Sequence, residues 1–333
     1  MNEMNTLQPI LFTKDKTLIV KGVAILFMIL HHCLIPDFYV TVPHYINSFP
    51  ALRLQIGMKM CVGVYTFILG YGFFYCKSYN GKYVLSHVYR LLKDYWIILF
   101  GIMVPLSFIS FGGGIFSVER LWLNAFGINP YYCLGNWYVY FYVYALCILP
   151  LIKWSLHKQK FAALLFWIIV PGISATLVNE SMVTHKMVWS CLTYTPMLAV
   201  GMFCASSNFF IERLKIFLCK RACWCMALFI IAFRCAFHSF GGITTDVIVV
   251  PCFIVIVAFF ANYYKGSLIL KMLSALGENA TNMWFLHCVF FSTATRGIIQ
   301  NSVLWNNNVL IVFIGVTLIS YYASRMLKLI VNH

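Results

Sequence analysis

Apolar residues in this chain neither alternate nor follow the three-four spacing of a surface helix. They come in long continuous runs broken by short polar clusters. Runs of roughly 17 to 22 residues suffice to carry a helix across the ~30 Å hydrocarbon layer of a bilayer. On that basis the sequence predicts ten spans, near 18–35, 58–76, 95–112, 136–152, 161–178, 187–205, 222–238, 243–262, 281–299 and 303–323. The ninth is diluted by Asn282, His287, Thr293, Thr295 and Arg296, and Leu268 to Leu276 reads as an interfacial helix leading into it. The expected fold class is all-α, a polytopic membrane helix bundle of ten transmembrane helices.

Composition and charge sharpen this picture. The chain is 62% hydrophobic and 10% charged, with a mean hydropathy of +0.84, values outside the range of soluble globular domains. A net charge of +15 would suggest a nucleic-acid partner in a soluble protein. Here 18 of the 24 Lys and Arg residues fall in alternate inter-span segments, from Lys14, Lys16 and Lys21 through Arg213, Lys215, Lys220 and Arg221 to Arg325 and Lys328. That bias follows the positive-inside rule, so both termini are expected in the cytoplasm and no nucleic-acid partner is expected. Met1 to Thr13 lacks the pattern of a removable signal peptide. With no repeat, linker or low-complexity tract, residues 1–333 read as a single transmembrane domain. The 13 Cys are scattered, and Cys219, Cys223 and Cys225 fit neither a zinc site nor a disulfide framework, so no metal is expected.

The candidate chemistry lies in ionisable residues that such a bundle would bury at a cost. His31 and His32 stand side by side deep in the first span. Lys21 precedes His32 by eleven residues, which places it ~16 Å away along the helix and on nearly the same face. His287 is a further intramembrane histidine. Arg90 and Lys93 stand beside Tyr95 and Trp96 at the inner entry to the third span. Each residue also has a plain structural role, as a hydrogen-bonded packing histidine, a snorkelling lysine or an interfacial anchor. The nine acidic residues place none mid-span on this map, with Asp94 and Asp246 at span edges. That scarcity argues against a proton-coupled transporter, which relies on intramembrane carboxylates. Serine-nucleophile, P-loop and zinc-hydrolase motifs are absent.

Together these phrases resemble the acyltransferase 3 family of integral membrane enzymes. Lys21 to His32 matches its basic residue, ten intervening positions and histidine. Val64 to Gly72 resembles its Phe-x-x-Ser-Gly-Tyr phrase, with Leu69 in place of Ser. Arg90-Leu91-Leu92-Lys93 resembles its third-span entry, and Asn136-Trp137-Tyr138 followed by Pro150 its fourth span. Leu276 to His287 resembles its late Leu-Gly-x-x-Ser-x-x-x-(Trp/Phe)-x-x-His phrase. The order is right over nearly the whole chain, and Lys21 stands where many members carry Arg, trading a bidentate fork for a point charge.

The resemblance implies O-acylation of surface glycans, with acetyl-CoA or another acyl-CoA bound from the cytosol and a glycan acceptor on the far side of a bacterial inner membrane. Carried onto this chain, Lys21, Arg90 and Lys93 would meet the donor's phosphates, His32 would serve as general base and His287 as its partner. His31 stands rotated by ~100° from His32 and remains an alternative for the active ring, although spacing favours His32. Direct transfer and an acyl-imidazole intermediate both remain open. A polysaccharide flippase or polymerase, or a small-molecule transporter, is the competing class. Membrane lipid is an expected partner, and the pattern is compatible with either a monomer or a homo-oligomer.

Overall fold

A computed structural model describes residues 13–39, 44–111, 117–128, 132–178, 183–207, 220–240, 242–292, 295, 298 and 308–331. Arg213, Lys215, Cys219, Thr293 and Arg296, with the end of the ninth predicted span and the start of the tenth, lie outside those residues. The described chain is almost entirely helical. Its helices are α1 (Lys14–Cys33), α2 (Phe49–Met58), α3 (Met60–Phe74), α4 (Gly81–Ile98), α5 (Val104–Phe111), α6 (Val118–Ala125) and α7 (Trp137–Lys158). They continue with α8 (Lys160–Thr176), α9 (Val183–Ser206), α10 (Lys220–Ala236), α11 (Asp246–Tyr263), α12 (Leu268–Leu286), α13 (Cys288–Phe291) and α14 (Val309–Val331). A two-residue antiparallel ladder pairs Ser239–Phe240 with Ile243–Thr244 between α10 and α11.

Among the described residues seven helical segments are long and apolar enough to cross a membrane. They are α1, the joined α2–α3, α4 with its continuation into α5, α7, α9, α11 and α14. The shorter apolar helices α8 and α10 stand where two more spans are predicted. Large apolar side chains such as Leu85, Ile109, Phe161, Leu228, Ile248 and Ile330 are exposed around the bundle, the belt that contact with lipid requires. A π turn at Leu99–Met103 links α4 to α5. It sits just before Pro105, which has no N–H to return to the preceding turn.

The described helix of the ninth predicted region has other bounds, and it is not among the seven segments apolar enough to cross a membrane. Instead of covering 281–299, helix α12 starts at Leu268 and ends at Leu286, with the short α13 beyond it. Leu268 to Leu276 is therefore the first half of that helix rather than a separate interfacial one. The Ser267 hydroxyl caps it by accepting from Leu270 N–H. Leu268, Ile269 and Met272 point outward, whereas Asn279 and Asn282 are buried. Asn279 and Asn282, two of the polar residues that lower the mean hydropathy of this segment, thus lie on its inward face, while Lys271, Glu278 and Thr281 are exposed.

The packing of α1 against α12 positions the site. The helices run in the same direction and cross where Gly22 lies on the backbone of Leu273 and Gly277 on the backbone of Leu18. A Cβ at either glycine would collide with a main-chain carbonyl, so only glycine permits this approach. From that crossing both helices continue to the level of their histidines. At the other end, Lys21 near the start of α1 and Lys328 near the end of α14 border cavities that share Arg90 and Asp94. The two ends of the described chain thus lie on the same side of the bundle, the side where the basic residues concentrate.

Candidate active site

His32 occupies the last turn of α1 and His287 follows directly on α12. Nδ1 of His32 lies 3.0 Å from Nε2 of His287 and 3.1 Å from the Met28 carbonyl oxygen. Nδ1 of His287 lies 3.1 Å from the Met283 carbonyl oxygen. Each Nδ1 therefore leans on the carbonyl one turn back in its own chain. A carbonyl only accepts, so His287 carries its proton on Nδ1 and presents a lone pair at Nε2. His32 Nδ1–H donates to that lone pair, which leaves Nε2 of His32 unprotonated when both rings are neutral. The contacts thus assign the tautomers and make His32 Nε2 the free base of the pair.

Aromatic side chains fix the ring of His32. Phe291 stacks on it with centroids 5.6 Å apart, and Phe38 packs at 6.0 Å. Phe38 is delivered by the short 3₁₀ turn Pro36–Phe38 beyond the end of α1. The turn is tied down by Tyr39, whose hydroxyl donates to the Cys33 carbonyl over 2.7 Å. His31 points elsewhere. Its Nδ1 lies 2.8 Å from the Gln55 carbonyl of α2, and its ring meets His32 edge-on at 5.1 Å.

Three cavities with shared wall residues lie in succession between the basic end of the bundle and these histidines. The outermost, of about 510 Å³, is lined by Arg90, Lys93, Asp94, Thr281, Asn282 and Lys328. The side-chain oxygen of Asn282 is buried there without a hydrogen-bond partner among the described residues. A second chamber of about 260 Å³ shares Arg90, Asp94 and Thr281 with the first and adds Lys21, Tyr65, Tyr138 and Trp284. The third, of about 270 Å³, holds His31, His32 and His287 together with Lys59, Trp137 and, again, Trp284.

The predicted site residues thus fall into two groups. His32 and His287 are in contact, with His31 in the wall of their chamber, while Lys21, Arg90 and Lys93 surround the two chambers on the basic side. Lys21 and His32, on one face of α1, thus line two different cavities that meet at Trp284. Sequence reasoning placed Asp94 at a span edge and assigned no site role to Trp284, Tyr65 and Tyr138. The only sequence signal for Trp284, Tyr65 and Tyr138 was their place in the family-like phrases. The buried ion pair between Arg234 and Asp246, which joins α10 to α11, was also missed. Its signal was two opposite charges close to either end of a glycine-containing turn.

A family model described as an acyltransferase domain matches residues 19–325, nearly the whole chain. No curated protein and no solved structure matches it. The match covers His31, His32 and His287 together with Lys21, Arg90 and Lys93, so the chain belongs to the acyltransferase 3 family and is an integral membrane enzyme that transfers acyl groups other than aminoacyl groups.

Proposed function

We propose that this protein is an O-acyltransferase of the bacterial inner membrane. It moves an acyl group, in the simplest case acetyl, from cytosolic acyl-CoA to a hydroxyl of a surface polysaccharide or lipid-linked glycan. The observation that carries the proposal is the succession of cavities: basic residues around the first two, walls shared between neighbours and a free imidazole nitrogen in the third. An extended phosphorylated thioester matches that layout, with phosphates near Arg90, Lys93 and Lys21 and the thioester near His32. Asn282 offers its unpartnered oxygen to an amide N–H of the donor's arm.

His32 Nε2 takes the proton of the acceptor hydroxyl as its oxygen attacks the thioester carbonyl carbon. The resulting imidazolium keeps Nδ1–H on His287 Nε2 and the Met28 carbonyl, so its positive charge is met by two acceptors. As the tetrahedral intermediate collapses, the C–S bond breaks and the ester remains on the acceptor. The proton held by His32 passes to the departing thiolate, giving free coenzyme A.

The test is to incubate purified protein in nanodiscs with acetyl-CoA labelled in the acetyl group. The wild type should bind the label, and cells carrying the gene should contain ester-linked acetyl on surface glycan that is lost with His32→Ala. Absence of acetyl-CoA binding, or full ester content in the His32→Ala strain, overturns the proposal.

A further inference from the structure

Trp284 is the one residue that lines both the chamber of Lys21 and the chamber of the histidines. Its indole therefore forms the wall between them. The ring is braced on several sides. Its Nε1–H donates to the Gly135 carbonyl over 3.2 Å, the Tyr65 ring meets it edge-on at 5.2 Å, and the Tyr138 ring packs at 4.9 Å. Tyr65 in turn donates its hydroxyl to the Lys21 carbonyl. Gly135 is tight against the indole, so no side chain fits between ring and backbone.

Position makes this wall consequential. Trp284 stands three residues before His287 on α12, hence on nearly the same helix face and about one turn toward the basic end. A donor whose phosphates stay among Arg90, Lys93 and Lys21 reaches His32 only past the indole. The acyl group that arrives there occupies the space beside or beyond the ring, in a chamber of about 270 Å³ that must also admit the acceptor hydroxyl.

We infer that Trp284 is the specificity-determining residue for acyl length, a partition that admits a short acyl group to the histidines and excludes longer ones. The inference rests on the proposed donor route. A methylene that does not fit an apolar pocket is worth a factor of ten or more in discrimination. Replacing the indole by a methyl group joins the two chambers and removes the obstacle, while leaving the cations at the mouth in place.

Binding to the protein in nanodiscs tests this without an acceptor, using free coenzyme A, acetyl-CoA and hexanoyl-CoA with wild type, Trp284→Ala and Trp284→Phe. The ratio of hexanoyl-CoA to acetyl-CoA affinity should rise about tenfold in Trp284→Ala, with Trp284→Phe intermediate. Free coenzyme A, which lacks an acyl group, reports whether the rest of the passage is intact. If the alanine variant fails to bind it, the phenylalanine variant carries the comparison. An affinity ratio unchanged from wild type overturns the role of Trp284 while leaving the donor route standing. Failure of the wild type to bind any of the three ligands overturns the donor route itself.

Discussion

Nε2 of His287 rests 3.0 Å from Nδ1 of His32 across 255 residues of sequence. Neither ring is free to choose its tautomer, because each Nδ1 is also held by a carbonyl one turn back. Of the two unprotonated nitrogens in the pair, Nε2 of His287 is taken up by His32, which leaves Nε2 of His32 as the available base.

The first prediction separates the three histidines. His32→Ala should lower acyl transfer by about 10²–10⁴-fold, the usual range for loss of a general base. His287→Ala should lower it less, because Met28 still orients the ring of His32. His31→Ala should remain active but lose about 1 kcal/mol of stability with its hydrogen bond to Gln55. Ester formation and thermal unfolding of each purified variant check this ordering.

A second prediction concerns the cations. Arg90→Ala and Lys93→Ala should each raise the donor KM by about tenfold, the low end for loss of a hydrogen bond to a charged group, with kcat little changed. Lys21→Glu should weaken the donor further by reversing a charge in the inner chamber. Titration of donor binding against salt should show a shallower slope in all three variants.

A third follows from the crossing of α1 and α12. Gly277→Val puts a branched side chain against the backbone of Leu18 and should force the helices apart. The expected result is reduced accumulation in the membrane, and loss of activity in whatever protein remains. Quantifying the inserted protein before measuring its specific activity distinguishes these effects.

The buried pair Arg234 and Asp246 gives a fourth. Replacing either residue alone leaves an uncompensated buried charge and should cost ~3–5 kcal/mol. Replacing both with leucine should recover much of that loss. A double-mutant cycle on detergent unfolding measures the coupling.

Much of this architecture was legible in the sequence because lipid imposes simple rules. Apolar runs located the helices. The eleven-residue interval from Lys21 to His32 already set these two residues apart along α1, where they line different cavities. What the sequence hid was lateral. Asn279 and Asn282 lower the mean hydropathy of α12 yet are buried, which no average along the chain reveals. Only the packing of α1 on α12 shows that His287 meets His32 rather than His31. Trp284 was visible as one aromatic among many, and its importance comes from the two voids it separates, which no linear pattern records.

The glycine contact between α1 and α12 acts as a fulcrum. Measured from the crossing near Gly22, the imidazoles sit ten or more residues out, ~15 Å along two arms. Opening the angle between the arms by four degrees would therefore separate the rings by about 1 Å, enough to break the link between them. The contact between the two imidazoles is thus inherited from two side chains that consist of a hydrogen atom each, ten or more residues away along both arms.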